Sequence, residues 1–345
     1  VDPAQTDDNY PKELFFMSKY SGNGTGRTIT TENKPDLIWL RSANTAQDWY
    51  VVDSTRVITD NKYILTNTTA LEATLPQGNF TSVGATSVGI SSGTWLNSGG
   101  SNYKMWMWRA NGGTTSTNST GSVNVTQQVD PSGAFSISTY SGAGGTGNIG
   151  HGLSSAATFV MVKQRNGANN WCVYAKGAQD SGALFAYMDT NSVFQSGTIF
   201  GNTEPSSTLV YLGDNNEVNH SGRDYVAYCF ANVEGYCKSG HWIGNANTNG
   251  TFVYTGFKPA FILLRYISSG ESWVMLDNKR DGYNPTNKNL RTNNTNAEAS
   301  GSTYDVDFLS NGFKPRTTWE GLNGSGYRIV YLAMAENPFK YATAR

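Results

Sequence analysis

The sequence has little charge, few histidines and few cysteines, and each scarcity excludes a class of protein. Charged residues make up 15% of the 345 residues and the formal net charge is −1, so the chain lacks the basic patch that nucleic acid binding requires. No apolar run approaches the roughly 20 residues of a membrane-spanning helix, so membrane insertion is not expected. The three cysteines are an odd number, and we expect buried free thiols at Cys172, Cys229 and Cys237 rather than a disulfide framework.

Patterns typical of catalysis or metal binding are scarce as well. The three histidines are not spaced as zinc ligands, and His151 stands in a Gly-rich turn where a backbone hydrogen bond is the usual role. Carboxylates that could face each other in a glycosidase are Asp214 with Glu217, or Asp305 with Asp307, but no motif selects either pair. The oxygen-rich loop around Asp214 could suit Ca²⁺, although it is no EF-hand loop. We therefore predict a protein without enzymatic activity, metal or cofactor.

Helical periodicity is nearly absent, whereas turn residues and aromatic residues are abundant. The chain contains 38 glycines and 12% aromatic residues, together with many Asn, Ser and Thr residues. Short apolar runs separated by such turn residues are typical of strands rather than helices. The sequence therefore predicts an all-β protein.

A tryptophan-centred pattern occurs three times along the chain. In each copy an apolar run ends on a cation, a polar turn follows, and a tryptophan opens a second apolar run. The tryptophans are Trp49, Trp171 and Trp273, and the cations are Arg41, Lys163 and Arg265. A fixed spacing that recurs at long period indicates duplicated units. Because the tryptophans occupy one equivalent position, we predict a core role for all three.

The repeats suggest a division of the chain. We predict three tandem β-sandwich-like repeats of about 100 residues each. The predicted segments are an extended N-terminal stretch at 1–12, repeats at 13–110, 134–234 and 235–345, and a linker at 111–133. The linker is predicted because that stretch is rich in Gly, Ser, Thr and Asn and has few apolar anchors.

Two kinds of strand are expected within a repeat. The run FVMV at 159–162 and the run FILL at 261–264 are apolar on successive residues, so both faces of these strands should be covered. By contrast, FSISTY at 135–140 alternates apolar and polar residues. That alternation predicts a strand with one face exposed to water.

Several motifs resemble a repeat module of tailed-bacteriophage virion proteins. In the second copy they are FSISTYSG at 135–142, GHGL at 150–153, WCVY at 171–174, NHSG at 219–222 and YVAYCF at 225–230. In the third copy they are FVYTGFKP at 252–259, DNKRD at 277–281, YNP at 283–285, DFLSNGF at 307–313 and AENPF at 335–339. The resemblance covers roughly residues 13 to 340, and its first copy departs most. It implies a tail-fibre or virion structural protein and transfers no catalytic residue.

Five of the tryptophans that occur in a single copy are the candidate contact residues. They are Trp95, Trp106, Trp108, Trp242 and Trp319. Buried aromatics at subunit contacts form binding hot spots, and exposed ones stack on sugars. We predict a contact with another subunit for Trp106 and Trp108. Core packing and ligand contact remain open for Trp242 and Trp319.

The resulting expectation is a non-enzymatic structural protein of a bacteriophage virion. We expect a tail or tail-fibre component that assembles with itself, as a homotrimer, and with other virion proteins. Adhesion to a host-surface glycan is the expected additional role. The absence of heptads weakens the fibre assignment, so a capsid decoration protein is the alternative. A secreted bacterial carbohydrate-binding protein is the second alternative.

Overall fold

A computed structural model describes residues 14–268 and 270–336. Strands account for 42% and helices for 6% of the chain, and the strands form several antiparallel sheets. This confirms the all-β fold class. The predicted extended segment at 1–12 lies outside the described residues.

Three large sheets carry most of the strands. The first large sheet contains, in spatial order, β1 (Phe15–Ser21), β9 (Asn102–Trp108), β3 (Leu37–Ser42), β4 (Tyr50–Asp53), β5 (Lys62–Leu65) and β6 (Ala73–Thr74). The second contains β10 (Ser116–Asn118), β11 (Val125–Val129), β12 (Phe135–Ser141), β18 (Asp224–Ala231), β14 (Ala157–Gln164), β15 (Cys172–Ala175) and β16 (Phe185–Tyr187). The third contains β19 (Cys237–Ile243), β26 (Arg328–Ala335), β21 (Pro259–Tyr266), β22 (Val274–Asp277) and β23 (Leu290–Arg291).

A small sheet accompanies each large one. The small sheets consist of β2 (Arg27–Thr30), β8 (Ser87–Ile90) and β7 (Phe80–Gly84); of β13 (Gly147–Gly150) and β17 (Leu209–Leu212); and of β20 (Val253–Tyr254), β25 (Gly312–Pro315) and β24 (Val306–Leu309). The helices are short: α1 (Thr94–Asn97), α2 (Glu320–Asn323), and 3-10 turns at Ser54–Arg56, Ile58–Asp60 and Ser302–Tyr304.

The three large sheets share a strand order. In each large sheet, the last long strand lies between two earlier strands of the same segment. Thus β9 lies between β1 and β3, β18 lies between β12 and β14, and β26 lies between β19 and β21. Their division into tandem β-sandwich-like repeats stays a prediction, because the three large sheets also share an interior. One cluster of buried side chains joins all three.

This shared interior, which we call the central cluster, is built from the inner faces of the three large sheets. Its members include Phe15, Trp39, Trp49, Trp106 and Trp108 of the first sheet; Phe135, Phe159, Trp171 and Phe230 of the second; and Phe261, Trp273 and Met275 of the third. Three outer clusters fill the space between each large sheet and its small sheet.

Strands that are apolar on successive residues have both faces covered, as predicted. In β14, Phe159 and Met161 point into the central cluster, whereas Val160 and Val162 belong to the outer cluster of the second sheet. The residues of β21 divide in the same way between the central cluster and the outer cluster of the third sheet. Side chains alternate across a strand, so an unbroken apolar run requires two apolar environments.

The stretch 111–133, expected as a linker, instead adds β10 and β11 to the second large sheet. Val125 is buried in the outer cluster of that sheet. The predicted wet face of β12 is wrong as well, because the outer cluster of the second sheet, which contains Tyr140, covers that face. Ser136 and Ser138 are fully buried, and Ser138 Oγ accepts a hydrogen bond of 2.8 Å from the Gln127 amide. Sparse apolar anchors were sufficient here because a neighbouring strand supplied the backbone partners.

Candidate functional site

The three repeated tryptophans fasten each large sheet to the next. Each indole N–H donates to a backbone carbonyl of a different sheet segment. The acceptors are Arg291 O for Trp49 (2.7 Å), Leu65 O for Trp171 (2.7 Å) and Tyr187 O for Trp273 (2.9 Å). The contacts run from the first segment to the third, from the second to the first, and from the third to the second. The predicted core role therefore includes a cyclic set of contacts around one centre.

The repeated cations follow the same cycle. Arg41 donates to the carbonyls of Asn294, Thr295 and Asn296, with distances down to 2.7 Å. Lys163 Nζ donates to Thr69 O at 3.0 Å, and Arg265 reaches the carbonyl of Tyr187 at 2.9 Å. Burial lowers the pKa of Lys163 to about 8 and the pKa values of Arg41 and Arg265 to about 10, since desolvation disfavours the charged form.

A buried ion-pair network joins the first and second sheets. Arg56 Nε lies 2.7 Å from Asp53 Oδ2, and Arg56 Nη1 lies 2.9 Å from Glu72 Oε2. Glu72 also forms an ion pair with Arg165, whose Nε lies 2.9 Å from Glu72 Oε2. Asp53 accepts a hydrogen bond of 2.6 Å from the Tyr228 hydroxyl. Although burial raises the pKa of Glu72, the hydrogen bonds and charges of the two guanidiniums lower it overall.

The third sheet repeats this network, and the second does not. Asp277, Arg280 and Glu298 form the equivalent set. The corresponding positions of the second sheet hold Ala175 and Ala178, both buried. A buried ion pair and a pair of small apolar residues thus occupy the same place in different sheets, since either avoids an unpaired buried charge.

Trp106 and Trp108 do not lie where the sequence predicted. Both are within 1% of complete burial, in the middle of the central cluster. The Trp108 ring lies 5.9 Å from Phe261 of the third sheet and 6.3 Å from Phe230 of the second. Their contacts are therefore between sheets of one chain and replace the predicted contact with another subunit. An apolar strand signals burial without telling which partner covers it.

The other single-copy tryptophans lie near the periphery. Trp95 is partly buried and packs on Tyr50 and Tyr63 at 5.3 and 5.9 Å. Trp319 is partly buried with its ring 4.9 Å from Tyr304. Trp242 is only 4% exposed and packs edge-on against Phe313 at 5.4 Å. The structure does not bring the five candidates together, since two lie at the centre and three lie in two different outer clusters.

The titratable residues considered as catalytic candidates have neighbouring side chains or backbone groups as partners. Glu217 accepts from the Tyr187 hydroxyl at 3.2 Å and lies 3.7 Å from Cys172 Sγ. Asp307 pairs with the half-exposed Arg316 at 3.1 Å. His151 is buried with backbone partners, Leu153 N–H donating to its Nδ1 at 3.1 Å. The three cysteines are free and buried. Within the described residues, no group of three His, Cys, Asp or Glu side chains is placed to hold a metal ion.

A groove of about 600 Å³, the β19 groove, opens at the free edge of the third large sheet. One wall is β19, and the other is formed by residues 251–254 at the start of the small sheet. Tyr254 is 59% exposed and Phe252 and Ile243 are 43% exposed. These are three of the seven most exposed large apolar or aromatic residues described. Exposed apolar side chains that converge on one concave surface indicate a binding site.

The charge in the β19 groove has one sign. Lys238 Nζ lies over the Tyr254 ring, 4.9 Å from its centre, and none of the aspartates and glutamates that the structure describes lines the groove. Burial, followed by the nearby Arg328 guanidinium, lowers the pKa of His241, so the imidazole is neutral at pH 7. Among the described residues of the lining, Lys238 thus carries the only formal charge at that pH.

Most residues of this groove could not be selected from the sequence. Trp242 was among the candidates, but it forms the groove's inner end rather than its exposed surface. Lys238, Phe252 and Tyr254 were not, because the local pattern does not show that the turn between β19 and β20 brings them together. The usable signal was the pair Phe252 and Tyr254, two aromatics at the same side of a short strand next to Thr and Gly.

The protein is an all-β protein in which three large antiparallel sheets enclose one aromatic centre. The chain belongs to the family described as a domain of unknown function (DUF7483), whose profile matches residues 10–338. No curated protein and no solved structure matches the chain. Among the described residues, no helix is long and apolar enough to cross a membrane.

Proposed function

We propose that the chain is a non-enzymatic structural protein of a bacteriophage virion, in the tail or tail fibre, that also contacts a glycan on the host surface. The cyclic fastening of three sheets around one buried aromatic centre is the observation that carries the structural role. Each sheet is held to the next by an indole hydrogen bond and a buried cation. Such a body supports exposed loops without moving them relative to one another.

The β19 groove supports the adhesion part of the proposal. Sugars are bound by aromatic faces that cover the C–H face of the ring and by polar groups that receive its hydroxyls. Tyr254 and Phe252 offer such faces at the surface, and Lys238 and Thr251 supply polar groups beside them.

Location in the particle tests the structural role. Particles would be purified from a host that carries the gene, the chain identified by mass spectrometry, and its density located by cryo-electron microscopy. We expect density at the tail or fibres, with copies in threes or sixes. Copies distributed over the capsid lattice would contradict the tail location and support capsid decoration. Absence from the particle would contradict both and favour a secreted carbohydrate-binding protein.

A further inference from the structure

The second and third large sheets differ at equivalent edges. In the second sheet, β11 pairs with β12 and its neighbour Val123 bridges to Ile149 of the small sheet. Val123 and Val125 are buried there. In the third sheet no described strand occupies that position beside β19, and the gap between β19 and β20 is the β19 groove. The open position beside β19 could be filled by an added peptide strand or by a ligand that side chains recognise.

An added peptide strand is a poor fit, because the edge of β19 is already satisfied within the chain. Val233 exchanges backbone hydrogen bonds with Cys237. The Asn232 side chain pairs with both backbone groups of Ser239, at 2.7 and 3.2 Å. Thr251 Oγ1 donates to Ile243 O at 2.7 Å. Strand addition depends on a row of unpaired backbone groups, and these contacts remove most of that row.

The groove instead offers side-chain recognition. Tyr254 and Phe252 present exposed rings, and Gly240, which has no side chain, leaves room in front of Tyr331. Lys238 places its ammonium over the face of the Tyr254 ring, 4.9 Å from the ring centre. A flat ligand that packs on Phe252 and along the exposed edge of Tyr254 would therefore bring an acidic substituent to the ammonium, where a carboxylate forms a charge-assisted hydrogen bond.

From these contacts we infer that the β19 groove binds an acidic saccharide, its ring on Tyr254 and Phe252 and its carboxylate at Lys238. This inference rests on the adhesion part of the proposed function and adds the substrate class. The absence of any carboxylate in the groove lining makes the site complementary to an anion. In the second sheet, β11 fills the equivalent position beside β12.

Titration of the full chain with matched saccharides tests the inference. Oligogalacturonate would be compared with its methyl ester, and sialyllactose with lactose, by calorimetry and saturation-transfer NMR. We expect at least one acidic member to bind about tenfold more tightly than its uncharged partner, the difference that one charge-assisted hydrogen bond contributes at a surface. Equal affinities within both pairs, or no binding of either acidic saccharide, would overturn the inference.

Variants assign the effect to the groove. Lys238→Met keeps the aliphatic stem and should make the acidic and uncharged saccharides bind alike. Lys62→Met, at an exposed lysine of β5, is the matched control and should keep the preference. Tyr254→Ala should lower affinity for both saccharides about tenfold or more, whereas Tyr283→Ala, at another exposed tyrosine, should not. Retained preference in Lys238→Met, or unchanged affinity in Tyr254→Ala, would contradict the assignment.

The two proposals fail separately. If the chain is found in the tail but binds no acidic saccharide, the structural role is supported and the ligand class is contradicted. If the chain is absent from particles but binds an acidic saccharide through Tyr254, the binding site is supported and the virion role is contradicted.

Discussion

The aromatic side chains at the centre of the molecule and those around the β19 groove have opposite surroundings. At the centre, Trp49, Trp171 and Trp273 are fully buried and each indole N–H has a carbonyl partner in another sheet. At the groove, Tyr254 and Phe252 are about half exposed. The same residue class therefore serves stability in one place and is free to serve binding in the other. Substitutions should separate these effects.

The largest expected effect lies at the centre. Trp273→Ala removes a buried ring and its hydrogen bond to Tyr187 O, and should lower the free energy of unfolding by about 3 to 5 kcal/mol. Chemical denaturation followed by far-UV circular dichroism measures it. The control is Trp319→Ala, because that ring is only partly buried and should cost less than half as much. Equal losses for the two variants would remove the distinction between centre and periphery.

A somewhat smaller loss is expected when the buried ion-pair network of the first sheet is broken. Arg56→Met leaves Asp53 without its cation, although the Tyr228 hydroxyl still donates to it, so the loss should be about 3 kcal/mol. Replacing Asp53 by Leu in the same chain should recover much of it, as Ala175 and Ala178 occupy the equivalent places in the second sheet.

The control for this network is Arg316→Met, which breaks the half-exposed pair with Asp307. Exposed ion pairs contribute about 0 to 1 kcal/mol, so little change is expected. Comparable losses at Arg56 and Arg316 would show that burial does not set the strength of these pairs.

Unlike the paired carboxylates, Asp130 has no cation among the described groups that shift its pKa. Burial raises the pKa of Asp130 to about 6 from 3.8, against the hydrogen bonds of Ser132 and Ala134. The folded state therefore holds this proton more tightly than the unfolded state. The stability it contributes is present below about pH 4 and is lost as the pH rises through about 6.

Asp130→Asn tests that assignment. Asn keeps an oxygen that can accept from Ser132 and Ala134, and it does not titrate. Unfolding measured from about pH 4 to pH 8 should show up to about 3 kcal/mol less pH-dependent loss in the variant than in the native chain. Identical pH profiles for the two chains would contradict the raised pKa.

The smallest effect on stability is expected at the groove. Tyr254→Ala changes an exposed side chain and should alter the free energy of unfolding by less than about 0.5 kcal/mol, while saccharide binding falls. Thermal unfolding and titration of one preparation measure both quantities. A large loss of stability would show that Tyr254 belongs to the outer cluster rather than to a binding surface.

The sequence was a good guide wherever local pattern and burial coincide. Unbroken apolar runs at 159–162 and 261–264 correctly predicted strands covered on both faces. The shared position of the three tryptophans correctly predicted burial. The run at 111–133 was misassigned because its strands, β10 and β11, depend on backbone pairing with β12 more than on apolar residues of their own. The β19 groove was missed because the local pattern does not show how β19 and residues 251–254, which follow it in the chain, lie relative to each other.

Composition and spacing alone determined that this chain is an all-β protein with a threefold tryptophan pattern, since period and turn residues are local properties of the sequence. Only the tertiary structure decided that the three sheets share one centre, with each indole reaching a carbonyl of another sheet. It also decided that Trp106 and Trp108 face inward and that Lys238, Phe252 and Tyr254 meet at one opening. Such choices depend on which faces come together, and that is fixed by packing between residues far apart in the chain.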